Sequence, residues 1–124
     1  MRIALACVLI AGLMPYAWTA VAKTLGGRYD NRDVRHWQDG LTGRAWRAHA
    51  AHLNSLEAFP LFGIAVLAAV WRGAPAGTVD GLAMAFIGVR LAYGLAYLFD
   101  TPTLRSILWL SGMASTVAIF WLAL

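Results

Sequence analysis

The chain has 124 residues, 60% of them hydrophobic and only 13% charged, and its mean hydropathy of +0.64 lies outside the range of soluble globular domains. This composition predicts an integral membrane protein, with room for four spans of roughly 20 residues each and none for a separate soluble domain. The net charge of +4 does not describe a nucleic-acid surface, because Lys23, Arg28, Arg32, Arg35, Arg44 and Arg47 all lie in one loop and its flank at the start of the second apolar segment. Such clustering marks a cytoplasmic loop, and an anionic lipid surface or an acidic substrate is the other use open to that charge.

The first span is read over 2–22, with Arg2 at its start, Pro15 inside and Trp18 near its far end. A cleaved signal peptide is the rival reading, since Arg2, the apolar run 3–13 and Ala20-Val21-Ala22 mimic its three regions. The apolar stretch outruns a normal signal core, which favours a retained span. The single cysteine, Cys7, excludes an intramolecular disulfide. Residues 23–43 are polar and carry Gly26-Gly27, Asp30-Asn31 and Gly40, so they read as a loop with one short interfacial turn around His36 and Trp37.

The second span is read over 44–71. At about 1.5 Å per residue it would reach roughly 42 Å, longer than the hydrocarbon core, so its first turns stand in the interface or cytoplasm. Asn54 and Glu57 then enter the bilayer from the cytoplasmic side. A carboxylate at that depth costs about 2.5–3.5 kcal/mol on insertion scales and normally faces protein. Pro60 removes a backbone donor and predicts a kink near Leu56. His49 and His52 are three residues apart but lack the further ligands of a metal site.

A short turn, RGAPAGT, leads to the third span, 79–99, which carries Arg90 near its middle. A second short loop with Asp100 and Pro102 leads to the fourth span, 105–124, opened by Arg105. The expected fold is all-α: one domain over 1–124, a four-helix transmembrane bundle with both termini periplasmic.

Helical spacing places Arg90, Tyr93, Gly94 and Tyr97 on one face of the third span, and Arg47, Ala51, Asn54 and Ala58 in a row on the second, with Glu57 beside Asn54. Glu57 and Arg90 lie roughly 20 and 15 Å from the cytoplasmic ends of their helices. They are expected to form an ion pair supported by Asn54, within or between subunits, either as helix-to-helix glue or as part of a reactive site. Arg105 sits at a helix start, where a cation gains nothing from the macrodipole. It is either a topogenic or headgroup arginine, or part of an anion site shared with helical N–H groups. Tyr93 and Tyr97 are open to an ordinary interface role, although Tyr93 is deep for an aromatic belt.

Taken together, Arg47, Asn54, Glu57, Phe59-Pro60-Leu61-Phe62, Arg90, Tyr93, Tyr97 and Arg105 resemble the membrane-associated proteins in eicosanoid and glutathione metabolism, the MAPEG family, which includes microsomal glutathione transferases and leukotriene C4 synthase. The likeness covers most of the chain and is nearest to the short bacterial members, which implies a bacterial inner-membrane location. It also implies a homotrimer of four-helix protomers, with glutathione between subunits near the cytoplasmic side. Asn54, Glu57, Arg90, Tyr93 and Tyr97 would then shape the tripeptide site, Arg47, Lys23 or Arg28 would add charge, and Arg105 would hold the thiolate. A cation beside a thiol lowers its pKa from near 8.5 and supplies nucleophile at neutral pH, here for a hydrophobic electrophile delivered from the bilayer.

The sequence also departs from the family pattern. Ala50 stands where relatives carry a glutathione-binding arginine, His52 replaces a polar amide, Ala58 replaces an aromatic residue, and the stretch from Tyr97 to Arg105 is one residue longer than in the eukaryotic synthase. The leading expectation is a glutathione-dependent transferase or peroxidase-like enzyme. A non-catalytic scaffold of the same fold is the alternative that Ala50 and Ala58 motivate. A small multidrug-type transporter using Glu57 is the third reading; the absence of a second deep carboxylate counts against it.

Overall fold

The computed structural model describes residues 1–124. It is all-helical: α1 (Arg2–Leu25), α2 (Val34–Asp39), α3 (Gly43–Trp71), α4 (Ala76–Leu98) and α5 (Pro102–Trp121). Helices α1, α3, α4 and α5 are each long and apolar enough to cross a membrane, so the chain is a multi-pass integral membrane protein. The short α2 occupies the place of the expected interfacial turn, and Asp33 caps it by accepting from the His36 backbone N–H at 3.3 Å.

The helix ends differ from the sequence reading by up to three residues, for local chemical reasons. Helix α1 continues past Ala22 to Leu25, because Val21 to Leu25 contains no breaker and Lys23 suits a helix C-terminus. Helix α4 stops at Leu98 in a Schellman turn. The Asp100 N–H donates to the Tyr97 carbonyl, the Thr101 N–H donates to Ala96, and Asp100 takes φ +58°, a backbone region that Asp tolerates better than most residues. Helix α5 starts at Pro102, before the expected Arg105, since proline fits the first helical position. Helix α3 remains one helix through Pro60.

Small side chains let the helices approach. Ala4, Cys7 and Ala11 of α1, Ala65 and Ala69 of α3, and Ala83 of α4 are buried in the main core, the composition expected where packing rather than water exclusion drives association. At its centre the Phe62 and Phe86 rings stack with centroids 3.8 Å apart and planes within 4°. Nearer the loop end, the Trp18 indole lies against the backbone of Gly94, where any Cβ would overlap it.

Chain polarity is fixed by contacts at both ends. At one end, the Asp80 carboxylate of α4 accepts from the Ala4 N–H at 2.8 Å and sits 3.2 Å from the Met1 ammonium, while Arg72 Nε donates to the Ala123 carbonyl at 3.1 Å. Both termini therefore lie together. At the other end, Trp37 and Leu41 close over Gly26, where a Cβ would meet both at 2.7 Å. The basic loop is folded back there, with Lys23 4.2 Å above the Tyr29 ring. In the same loop the Asp30 carboxyl is held below its ordinary range by the Arg32 backbone N–H and then by the Arg32 side chain.

Candidate functional site

Arg90 is the buried centre of the polar region, with only 3% of its surface exposed. Its stem packs beside Gly112 of α5, where an added Cβ would lie 3.5 Å from Arg90 Cδ. Its Nη2 donates to Asn54 Oδ1 at 2.7 Å. Asn54 Nδ2 in turn donates to Glu57 Oε2 at 3.3 Å. The amide orientation follows from chemistry: a guanidinium only donates and an ionised carboxylate only accepts, so the oxygen must face Arg90 and the nitrogen Glu57.

Within the protomer, the expected ion pair between Glu57 and Arg90 is not direct. Asn54 stands between them as a relay, and the chain's two salt bridges are elsewhere. The reason is rotational. Glu57 lies three residues beyond Asn54 and points to the exposed side of the protomer, whereas Arg90 is fully inside. An amide bridges the gap without burying two full charges together, which limits the desolvation cost.

From Arg90 the polar path continues along α4. The guanidinium carbon lies 4.3 Å from the Tyr93 ring centroid, and Tyr93, 5% exposed, meets Tyr97 edge to face at 5.8 Å. The Arg105 guanidinium of α5 lies 4.2 Å over the Tyr97 ring. Six residues on three helices thus form one continuous run: Glu57, Asn54, Arg90, Tyr93, Tyr97 and Arg105. The i, i+3, i+4 spacing on α4 builds its middle, and the tight α4–α5 corner brings Arg105 back onto it.

Arg105 has no carboxylate partner and no side-chain hydrogen bond within the chain. The helix start around it carries no side-chain cap, so the Thr103 and Leu104 N–H groups are free of helical acceptors. Cation and N–H dipoles share a sign here and together favour an anion.

Arg47 lies beside this run. Its Nε donates to the Leu98 carbonyl at 3.2 Å, capping the C-terminus of α4, and its neighbour Trp46 meets the Tyr97 ring at 6.4 Å. His52 is turned away: Nδ1 lies 2.8 Å from the Pro15 carbonyl, which only accepts, so Nδ1 carries the proton. His49 stacks on His52 at 5.7 Å.

Two small cavities flank the run and share Trp109. One, of about 60 Å³, is lined by Glu57, Ala58, Arg90, Trp109 and Gly112 among others. The second, of about 190 Å³, is lined by Tyr93, Arg105, Ser106, Trp109 and Leu110. Sequence reasoning missed Trp109, although it lies one turn beyond Arg105 on the same face and the i+4 rule could have found it. It also missed Asp80, whose partner on α1 only the tertiary fold supplies.

Searches of curated proteins and of solved structures found no match. A model of the MAPEG family matches residues 3–124, effectively the whole chain, and the protein belongs to the MAPEG family.

Proposed function

We propose that this protein is a membrane-embedded, glutathione-dependent transferase or peroxidase-like enzyme acting on hydrophobic electrophiles, assembled as a homotrimer with its basic loop in the cytoplasm and both termini in the periplasm. The observation that carries the reading is Arg105: a guanidinium without an anionic partner, seated on Tyr97 at an uncapped helix start and joined by a continuous polar run to Glu57. A thiolate is the kind of small anion such a site favours. Asn54, Glu57, Arg90, Tyr93 and Tyr97, with Arg47 at the rim, supply the polar groups for the rest of the tripeptide.

Arg105 stabilises the thiolate as the thiol proton leaves to water. The sulfur lone pair then forms a bond to the electrophilic carbon, and the leaving group departs with its bonding pair. With a hydroperoxide, the thiolate takes the terminal oxygen and releases an alkoxide; a second thiol converts the resulting sulfenic acid to disulfide and water.

The trimer fits the size of the site. Small-molecule pockets usually enclose about 300–1,000 Å³, whereas the flanking cavities of one protomer measure about 60 and 190 Å³. The exposed Glu57 also calls for a covering surface at membrane depth. A neighbouring protomer would supply both. Saturable glutathione binding that weakens on Arg105→Ala is expected of the purified protein, and no binding at millimolar glutathione would defeat the enzyme reading in favour of a scaffold.

A further inference from the structure

A second basic feature lies at the loop end of the bundle, on the side of α3 that meets the end of α4. Arg44 is exposed, makes no hydrogen bond, and has its guanidinium 5.8 Å over the Phe99 ring. Arg47, one turn further along α3, uses only Nε, on the Leu98 carbonyl, so its two terminal nitrogens have no partner in the chain. Neither arginine forms an ion pair, although Asp100 follows directly in the loop; the only two pairs in the chain are those of Asp80 and Asp30. The exposed Arg44 and the half-buried Arg47, one helical turn apart on α3, therefore both carry unused donors.

The apolar surroundings decide which anion fits. Trp46 is 48% exposed and Phe99 61%, so the arginines are bordered by large aromatic surface. Cations beside exposed aromatic rings at a span end are the composition of a membrane–water boundary. A soluble phosphate would use the arginines and gain nothing from Trp46 or Phe99, whereas a phospholipid would place its phosphate on the first and its acyl chains along the second. The bond from Arg47 Nε to Leu98 also offsets the negative end of α4, which would otherwise repel an anion there.

We propose that Arg44 and Arg47, with Phe99 and Trp46, form a binding site for the phosphate headgroup of an anionic phospholipid. The site shares Arg47 with the rim of the proposed thiol site, whereas Arg44 belongs to no part of that site and is distinct from the role given to Arg105.

The test is a titration of full-length, detergent-purified protein with short-chain phosphatidylglycerol, phosphatidylcholine and inorganic phosphate at fixed ionic strength, read as thermal stabilisation. Phosphatidylglycerol is expected to saturate, with its half-saturation weakened about fivefold by Arg44→Gln and about 25-fold by Arg44→Gln with Arg47→Gln, as about 1 kcal/mol per basic residue implies. Arg28→Gln with Arg32→Gln, which removes the same charge from the loop, should leave it unchanged. Because Arg47 also caps α4, Arg44→Gln alone is decisive if the double variant does not fold. Equal weakening by the loop pair would reduce the effect to net charge and overturn the site. Equal stabilisation by phosphatidylcholine would do the same, and saturation by inorganic phosphate alone would replace the lipid with a free anion. Glutathione binding measured on Arg44→Gln should match the parent protein, which keeps failure here distinguishable from failure of the thiol site.

Discussion

Arg90 reaches the carboxylate of Glu57 only through Asn54: Nη2 donates to Asn54 Oδ1 at 2.7 Å, and the same amide donates to Glu57 Oε2 at 3.3 Å. The residue that holds the buried cation is thus the neutral amide, and the carboxylate is its outer neighbour.

Substitutions should rank accordingly. Asn54→Ala strips a charge-assisted hydrogen bond from a guanidinium that is 3% exposed and is expected to cost about 2 kcal/mol. Glu57→Gln keeps a hydrogen-bonding acceptor for the amide and should cost less than about 1 kcal/mol within the protomer. Thermal unfolding in mild detergent measures both; a larger loss for Glu57→Gln would show that the carboxylate, rather than the amide, anchors Arg90.

Gly94→Ala should be among the most damaging small substitutions in the chain. The added methyl would overlap the Trp18 indole, and overpacking of this kind costs about 1–3 kcal/mol. Gly81→Ala and Gly88→Ala meet no atoms within 4 Å and should be neutral or slightly stabilising, because alanine favours the helix. In a Trp18→Leu background, the penalty of Gly94→Ala should shrink, a coupling that a double-mutant cycle reads directly. An unchanged penalty would place the strain elsewhere.

Asp80 ties the start of α1 to α4. Removing it in Asp80→Ala leaves the Ala4 N–H without its acceptor and should cost about 1 kcal/mol, the usual worth of an N-terminal cap. Hydrogen exchange should accelerate first in the opening turn of α1, with the Phe62 and Phe86 region protected as before. Uniform acceleration across the bundle would mean that Asp80 supports the whole core.

Much of this fold was legible in the sequence, because four apolar runs separated by glycine, proline and charge leave few alternatives. Helix ends were less so: where α4 stops depends on Asp100 adopting a left-handed backbone, and where α5 starts depends on Pro102 at its first position. For the site, helical spacing grouped Arg90, Tyr93 and Tyr97 correctly and matched Glu57 to Arg90 in depth. Spacing along an axis does not give rotation about it, and rotation is what turns Asn54 toward Arg90 and leaves Glu57 exposed. Trp109 was within reach of the same spacing rule, whereas Asp80 and the capping role of Arg47 arise from contacts between helices distant in sequence.

The thiolate role proposed for Arg105 is tested most directly by ultraviolet titration of glutathione bound to the purified protein. The thiolate absorbs in the ultraviolet where the thiol does not, and the bound thiol should ionise well below its ordinary value of about 8.5. In Arg105→Ala that midpoint should rise by about one unit or more, equivalent to at least about 1.4 kcal/mol of lost thiolate stabilisation. A bound thiol that ionises at the same pH in both proteins would contradict the account.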